Sequence, residues 1–122
     1  MEMTKEWFIA FNNKCAKFTG WDYNFGSSLY YPSYEFAKAV GIGQGAWTLN
    51  VLRFHSDWNW IMEVVEAIQK IRPLIISHNH CEIHMYEERK NISINIAKNS
   101  TITAVIQSID QFIDWYNKQK ES

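Results

Sequence analysis

The stretch that decides the fold is Leu74-Ile75-Ile76-Ser77-His78-Asn79-His80-Cys81-Glu82-Ile83-His84-Met85-Tyr86-Glu87-Glu88-Arg89-Lys90-Asn91-Ile92-Ser93-Ile94-Asn95-Ile96-Ala97. From His80 to Glu87, Cys81, Ile83 and Met85 alternate with Glu82, His84 and Tyr86. Ile92, Ile94 and Ile96 alternate in the same way with Ser93, Asn95 and Ala97. A period of two belongs to a strand with one face in the core and one in water. Leu74-Ile75-Ile76 reads as a short apolar strand ahead of them, and Ser77-His78-Asn79 as a turn. Glu88-Arg89-Lys90-Asn91 supplies a four-residue polar connection suited to a type I turn. The segment therefore predicts a three-stranded antiparallel sheet, apolar on one side.

Such a sheet cannot bury its apolar face alone, and helical patterns flank it. Upstream, Ser56 or Asp57 caps a helix running to about Ile71, with Trp58, Ile61, Met62, Val65, Ile68 and Ile71 as its stripe and Trp60 and Val64 widening it. Pro73 disfavours helical geometry at Arg72 and ends it. Downstream, a helix starts near Ser100 or Thr101 and runs to about Lys118, with Ile102, Val105, Ile106, Ile109, Phe112, Ile113 and Tyr116 on one side. At the N-terminal end, Thr4 caps a helix over about residues 5–18, whose Trp7, Phe8, Phe11, Cys15 and Phe18 share a face and which Gly20 closes. Residues 20–50 hold all five glycines. There Phe25-Gly26-Ser27-Ser28 reads as a turn, residues 32–40 as a short helix ending at Gly41, and Trp47–Leu52 as a strand or an irregular entry. The expected fold is α+β: a small three-stranded antiparallel sheet covered mainly on one face by two to three helices, in a single domain over residues 1–122.

Composition narrows the function. Twelve basic residues oppose thirteen acidic ones, for a net charge of −1. No broad field draws the chain to nucleic acid or to anionic lipid. No run approaches the ~20 apolar residues of a membrane span. The N-terminal residues, with Glu2 and an apolar run of five, do not read as a leader, so the expected compartment is the cytoplasm. Cys15 and Cys81 are expected as free thiols there, with Cys81 on the apolar face of its strand.

Four constellations could carry chemistry. His78, His80, Glu82 and His84 would share a face of a regular strand, and imidazole with carboxylate is a zinc donor set. Along a strand, however, residues four apart lie about 13 Å from each other, too far for one ion. The facing Ser93, Asn95 and Ala97 are poor ligands. A polar, water-facing strand explains the same residues. His55-Ser56-Asp57 could be drawn as an acid–base pair, but a helix cap accounts for Ser56 and Asp57. The carboxylate pairs Glu63/Glu66 and Asp110/Asp114 read as solvated helix faces. Gly41-Ile42-Gly43-Gln44-Gly45 lacks the Lys-Ser/Thr ending of a phosphate loop, and no nucleophile elbow or His-Glu-x-x-His occurs.

Aromatic content remains, at 16% with six tryptophans. Most such rings build cores. Tyr and Trp also dominate protein-binding surfaces. Trp21, Tyr23, Tyr30, Tyr31 and Tyr34, with His55, Trp58 and Trp60 at the second helix's entrance, are the candidate binding residues. Residues 21–37 contain no Lys or Arg, which argues against stacking on nucleic acid.

The segment Leu52-Arg53-Phe54-His55-Ser56-Asp57-Trp58-Asn59-Trp60-Ile61-Met62-Glu63-Val64-Val65-Glu66 resembles one carried by small uncharacterised proteins of Bacteroidetes genomes and their phages. Phe18-Thr19-Gly20-Trp21, the strand around Cys81-Glu82-Ile83 and the final Phe112-Ile113-Asp114-Trp115-Tyr116-Asn117 fit the same pattern. The resemblance implies a small accessory protein in a mobile-element setting and brings no activity, cofactor or catalytic residue with it. The expected function is a non-enzymatic interaction or accessory domain without a cofactor, its partner another protein or a second copy. The alternative is a zinc-binding protein or metal-dependent enzyme using His78 and His80.

Overall fold

The structure, a computed structural model, describes residues 3–121. Met1 and Glu2, where the leader reading begins, lie outside them. Four helices and six strands follow one another as α1 (Lys5–Phe18), β1 (Asp22–Asn24), β2 (Leu29–Tyr31), α2 (Tyr34–Val40), β3 (Trp47–Thr48), α3 (Trp58–Gln69), β4 (Leu74–Ser77), β5 (His80–Glu87), β6 (Lys90–Ala97) and α4 (Thr101–Glu121). The fold is mixed α+β, as its sequence pattern predicts. The chain divides into two compact units, Met1–Val64 and Val65–Ser122, and the division falls inside α3.

In the second unit the strand order is β4-β5-β6, antiparallel throughout. Leu74 pairs with Ile83, and Ile83 with Ile94, so the apolar positions line up across the sheet. Cys81, Ile83, Met85 and Ile94 are buried, and α4 packs across all three strands. Each buried aliphatic side chain is worth roughly 1.5–3 kcal/mol. Val105, Ile109, Phe112 and Ile113 bury the helix side of this core. Ser100 caps α4 by accepting from the Thr103 N–H at 3.2 Å. The Asn79 N–H donates to Thr101 Oγ1 at 2.9 Å, tying the β4–β5 turn to the start of α4.

The β5–β6 hairpin differs from the expected four-residue turn. Glu87 pairs with Lys90, leaving a two-residue connection. Both of its residues, Glu88 (φ 50°) and Arg89 (φ 65°), are left-handed. That is the turn whose twist matches the right-handed twist of paired strands, whereas a type I turn would splay them. Pairing along the whole hairpin outweighs the local cost of two non-glycine residues at positive φ.

The first unit contains a sheet that the sequence pattern does not announce. β1, β2 and β3 pair antiparallel in that order, with Tyr23 opposite Tyr30 and Tyr30 opposite Trp47. Asn24 builds the β1–β2 turn, its Oδ1 accepting from the Gly26 N–H at 2.9 Å and the Ser27 N–H at 3.2 Å. α1 begins and ends as expected. Thr4 Oγ1 accepts from the Trp7 N–H, and Gly20 at φ 82° lets the Trp21 N–H reach back to the Ala16 carbonyl at 2.9 Å. α2 likewise runs from a Ser33 cap to a left-handed Gly41.

The buried face of α3 is rotated from the expected stripe. Trp60, Ile61, Val64, Val65 and Ile68 are buried, while Trp58, Met62 and Ile71 are exposed. Around Trp60, ring centroids of Phe54 (5.0 Å), Phe36 (5.3 Å), Trp47 (5.3 Å) and Trp21 (5.6 Å) close a cluster. A large ring with four aromatic neighbours decides which way the helix turns, so Trp58 is left outside. Asp110 also departs from its solvated reading and is buried, whereas Asp114 is exposed.

Candidate functional site

α1 carries Glu6, Ile9, Ala10, Asn13 and Lys17 at spacings of three and four, so they form one stripe about 16 Å long. The β1–β2 hairpin stands beside that stripe. Between them lies an open groove of about 490 Å³, walled by Tyr23, Phe25 and Tyr30 from the hairpin and by Leu49 from the 3-10 turn at Leu49–Val51. The Tyr30 hydroxyl donates to Asn13 Oδ1, which fastens the hairpin to the helix. Burial, together with the neighbouring Tyr23, raises the Tyr30 phenol above its ordinary value, so it stays protonated and keeps that donor. Tyr23 packs on Tyr30 at 4.7 Å and meets Phe25 edge-on at 4.8 Å. Phe25 is 85% exposed, at the tip of the hairpin.

A second, smaller cleft of about 340 Å³ adjoins the groove, sharing Ile9 and Leu49 with it. Lys5, Phe8, Asn12, Asn50 and His55 complete its lining. The His55 ring lies against Phe8 at 4.9 Å. The Asn12 side-chain amide donates to His55 Nδ1 at 2.9 Å, which puts the proton of the neutral imidazole on Nε2. Burial lowers the His55 pKa below 6.5 and favours that neutral form. Asn12 is buried and its Oδ1 has no hydrogen-bond partner. An unpaired buried carbonyl costs about 1–3 kcal/mol.

The candidate binding residues separate by position. Trp21, Tyr30 and Trp60 are buried, at 6%, 4% and 1% exposure, and cannot present a ring face to a partner. Trp21 and Trp60 belong to the aromatic cluster, and Tyr30 is the groove's inner wall. Tyr23, Tyr31 and His55 are half-buried. Tyr34 and Trp58 are exposed but line neither cleft. The structure thus brings Tyr23 and Tyr30 to one groove and His55 to the adjoining cleft. Ile9, Asn13 and Leu49 were not among the candidate binding residues, and Phe25 stood only in the Phe25-Gly26-Ser27-Ser28 turn. The signal at hand was an aromatic residue inside a Gly-Ser turn, where no core position is available to it.

The histidine strand is arranged differently from a metal site. His78 sits exposed in the β4–β5 turn and not on the strand face. His80 Nε2 meets Asn95 Oδ1, and its Nδ1 meets Ser77 Oγ at 3.2 Å. The Asn95 amide donates to Glu82 Oε1 at 3.2 Å, and Glu82 Oε2 lies 3.2 Å from His84 Nε2. These groups satisfy one another along a row instead of converging on a point. Among the described residues, no group of three or more His, Cys, Asp or Glu side chains is placed to hold a metal ion. Cys15 and Cys81 are both buried free thiols, and burial pushes the Cys81 thiol up despite a hydrogen bond with Ser108. No helix among the described residues is long and apolar enough to cross a membrane.

Compared with protein-family models, curated proteins and solved structures, the chain has no significant match to any of them. The site must therefore be read from its own geometry. It belongs to a small α+β protein with an aromatic-walled groove along one helix.

Proposed function

We propose that this protein is an interaction domain that seats a short segment of a partner protein in the groove between α1 and the β1–β2 hairpin. The carrying observation is Phe25, 85% exposed at the groove's rim and backed by Tyr23. Burying a phenylalanine side chain is worth roughly 1.5–3 kcal/mol, which a partner covering Phe25 would gain. The groove floor is apolar at Ile9, Ala10 and Leu49, with Glu6 near one end of the α1 stripe and Lys17 at the other. That pattern suits an apolar anchor flanked by a basic residue toward Glu6 and an acidic one toward Lys17. The reading keeps the accessory role implied by the resemblance to proteins of Bacteroidetes and their phages.

The test places a photo-crosslinking phenylalanine analogue at position 25 in the host cell, with position 98 as an exposed control. A defined adduct at 25 and not at 98, weakened on the order of tenfold by Tyr23→Ala, is expected. Equal or absent labelling at the two positions overturns the proposal.

A further inference from the structure

The outer edge of the β4-β5-β6 sheet is built without the features that keep edges from pairing. β6 is eight residues long and pairs with β5 alone. Its register runs unbroken from Lys90 to Ala97, so no bulge interrupts it. It contains no proline, and its charges are confined to Lys90 at its start and Lys98 just beyond its end. Among the described residues, no backbone hydrogen bond joins β6 to anything but β5. Edge strands of this length are normally blunted by proline, bulges or charges pointing into the pairing surface.

We infer that β6 pairs antiparallel with β6 of a second copy, across a twofold axis through Ser93, to give one continuous six-stranded sheet. Register singles out that arrangement. Both apolar faces must lie on the same side, so residues of like parity must oppose each other. Only axes through Ser93 or Ile94 overlap nearly the whole strand. An axis through Ile94 sets Lys90 against Lys98 of the other copy at both ends, and like charges directly opposite are destabilising. An axis through Ser93 instead sets no two lysines opposite each other, because the position facing Lys98 falls in the Glu88-Arg89 turn of the other copy. It also places Ile92 against Ile94 on the apolar face and Asn91 against Asn95 on the open face. Asn95 is already held by His80 and Glu82, so its amide is oriented before the second copy arrives. A pairing of this extent buries little area besides backbone, so association in the micromolar range is expected.

The test is sedimentation equilibrium of the full chain up to tens-of-micromolar concentration, with circular dichroism and melting as fold controls. The wild type is expected to form a dimer. Asn91→Lys/Asn95→Lys puts lysine against lysine twice and should weaken it on the order of tenfold or more. Asn91→Lys/Asn95→Glu puts lysine against glutamate twice and should restore it. The substituted positions are exposed on the open face, and within one chain they are four residues apart along the strand. A wild type that stays monomeric, or a dimer indifferent to the double lysine, or a charge pair that fails to rescue, would overturn the inference.

Discussion

Trp58 and Trp60 are two residues apart on α3, and the structure gives them opposite fates. At 3.6 residues per turn they point about 160° apart. Trp60 is 1% exposed with four aromatic rings within 5.6 Å, and Trp58 is 41% exposed. Trp60→Ala removes the hub of the cluster. Trp→Ala in a core costs about 3–5 kcal/mol, and edge-on ring pairs place this site toward the upper end. That is a large share of a total stability of about 5–15 kcal/mol. With a urea slope of about 1.5–2 kcal/mol/M, the midpoint should fall by about 2–3 M. Trp58→Ala should stay within about 0.5–1 kcal/mol of the wild type. The assay is urea unfolding followed by far-ultraviolet circular dichroism, which does not depend on the substituted fluorophores. Equal losses for the two variants, or a loss under about 1 kcal/mol for Trp60→Ala, would refute the assignment of the cluster as the core of the first unit.

Three further outcomes follow from particular groups. His55 is held below its free value of 6.5 by burial, so the unfolded chain binds the extra proton first as pH falls. Its contribution is present above 6.5 and is lost on acidification toward the folded value, so the wild type should lose more stability than His55→Gln between about pH 7.5 and 5.5. Parallel pH profiles would contradict this. Replacing Glu88-Arg89 by Asn-Gly should raise stability by about 1 kcal/mol in thermal melts, because both positions are left-handed, and a lower melting temperature would contradict the assigned turn. Cys15 and Cys81, both buried, should react with an aromatic disulfide reagent only at the rate of unfolding, and rapid labelling of either in the native protein would count against its placement.

Much of the second unit was legible in advance. Alternation in β5 and β6 placed Cys81, Ile83, Met85 and Ile94 on the buried side, and Thr4, Gly41 and Ser100 marked ends of α1, α2 and α4. The site was far less legible. Its groove joins α1 residues to Tyr23, Phe25, Tyr30 and Leu49, which lie up to 43 positions away from Glu6 in the chain, and no local pattern connects them. The histidine strand showed the reverse. Spacing alone suggested a donor set, whereas cross-strand pairing handed His80 and Glu82 to Asn95.

The sequence by itself determined the α+β class, the three-stranded sheet and the amphipathic helices that flank it in the chain, because those elements are long enough for a hydrophobic period to repeat. Tertiary structure alone decided the sheet of β1, β2 and β3, whose strands of three, three and two residues are too short to show any period. It decided which rings are core, because an aromatic side chain is apolar enough for either place and only its neighbours exclude water. It also decided the left-handed turn at Glu88-Arg89, where the twist of the paired strands overrides the preference of two residues for negative φ.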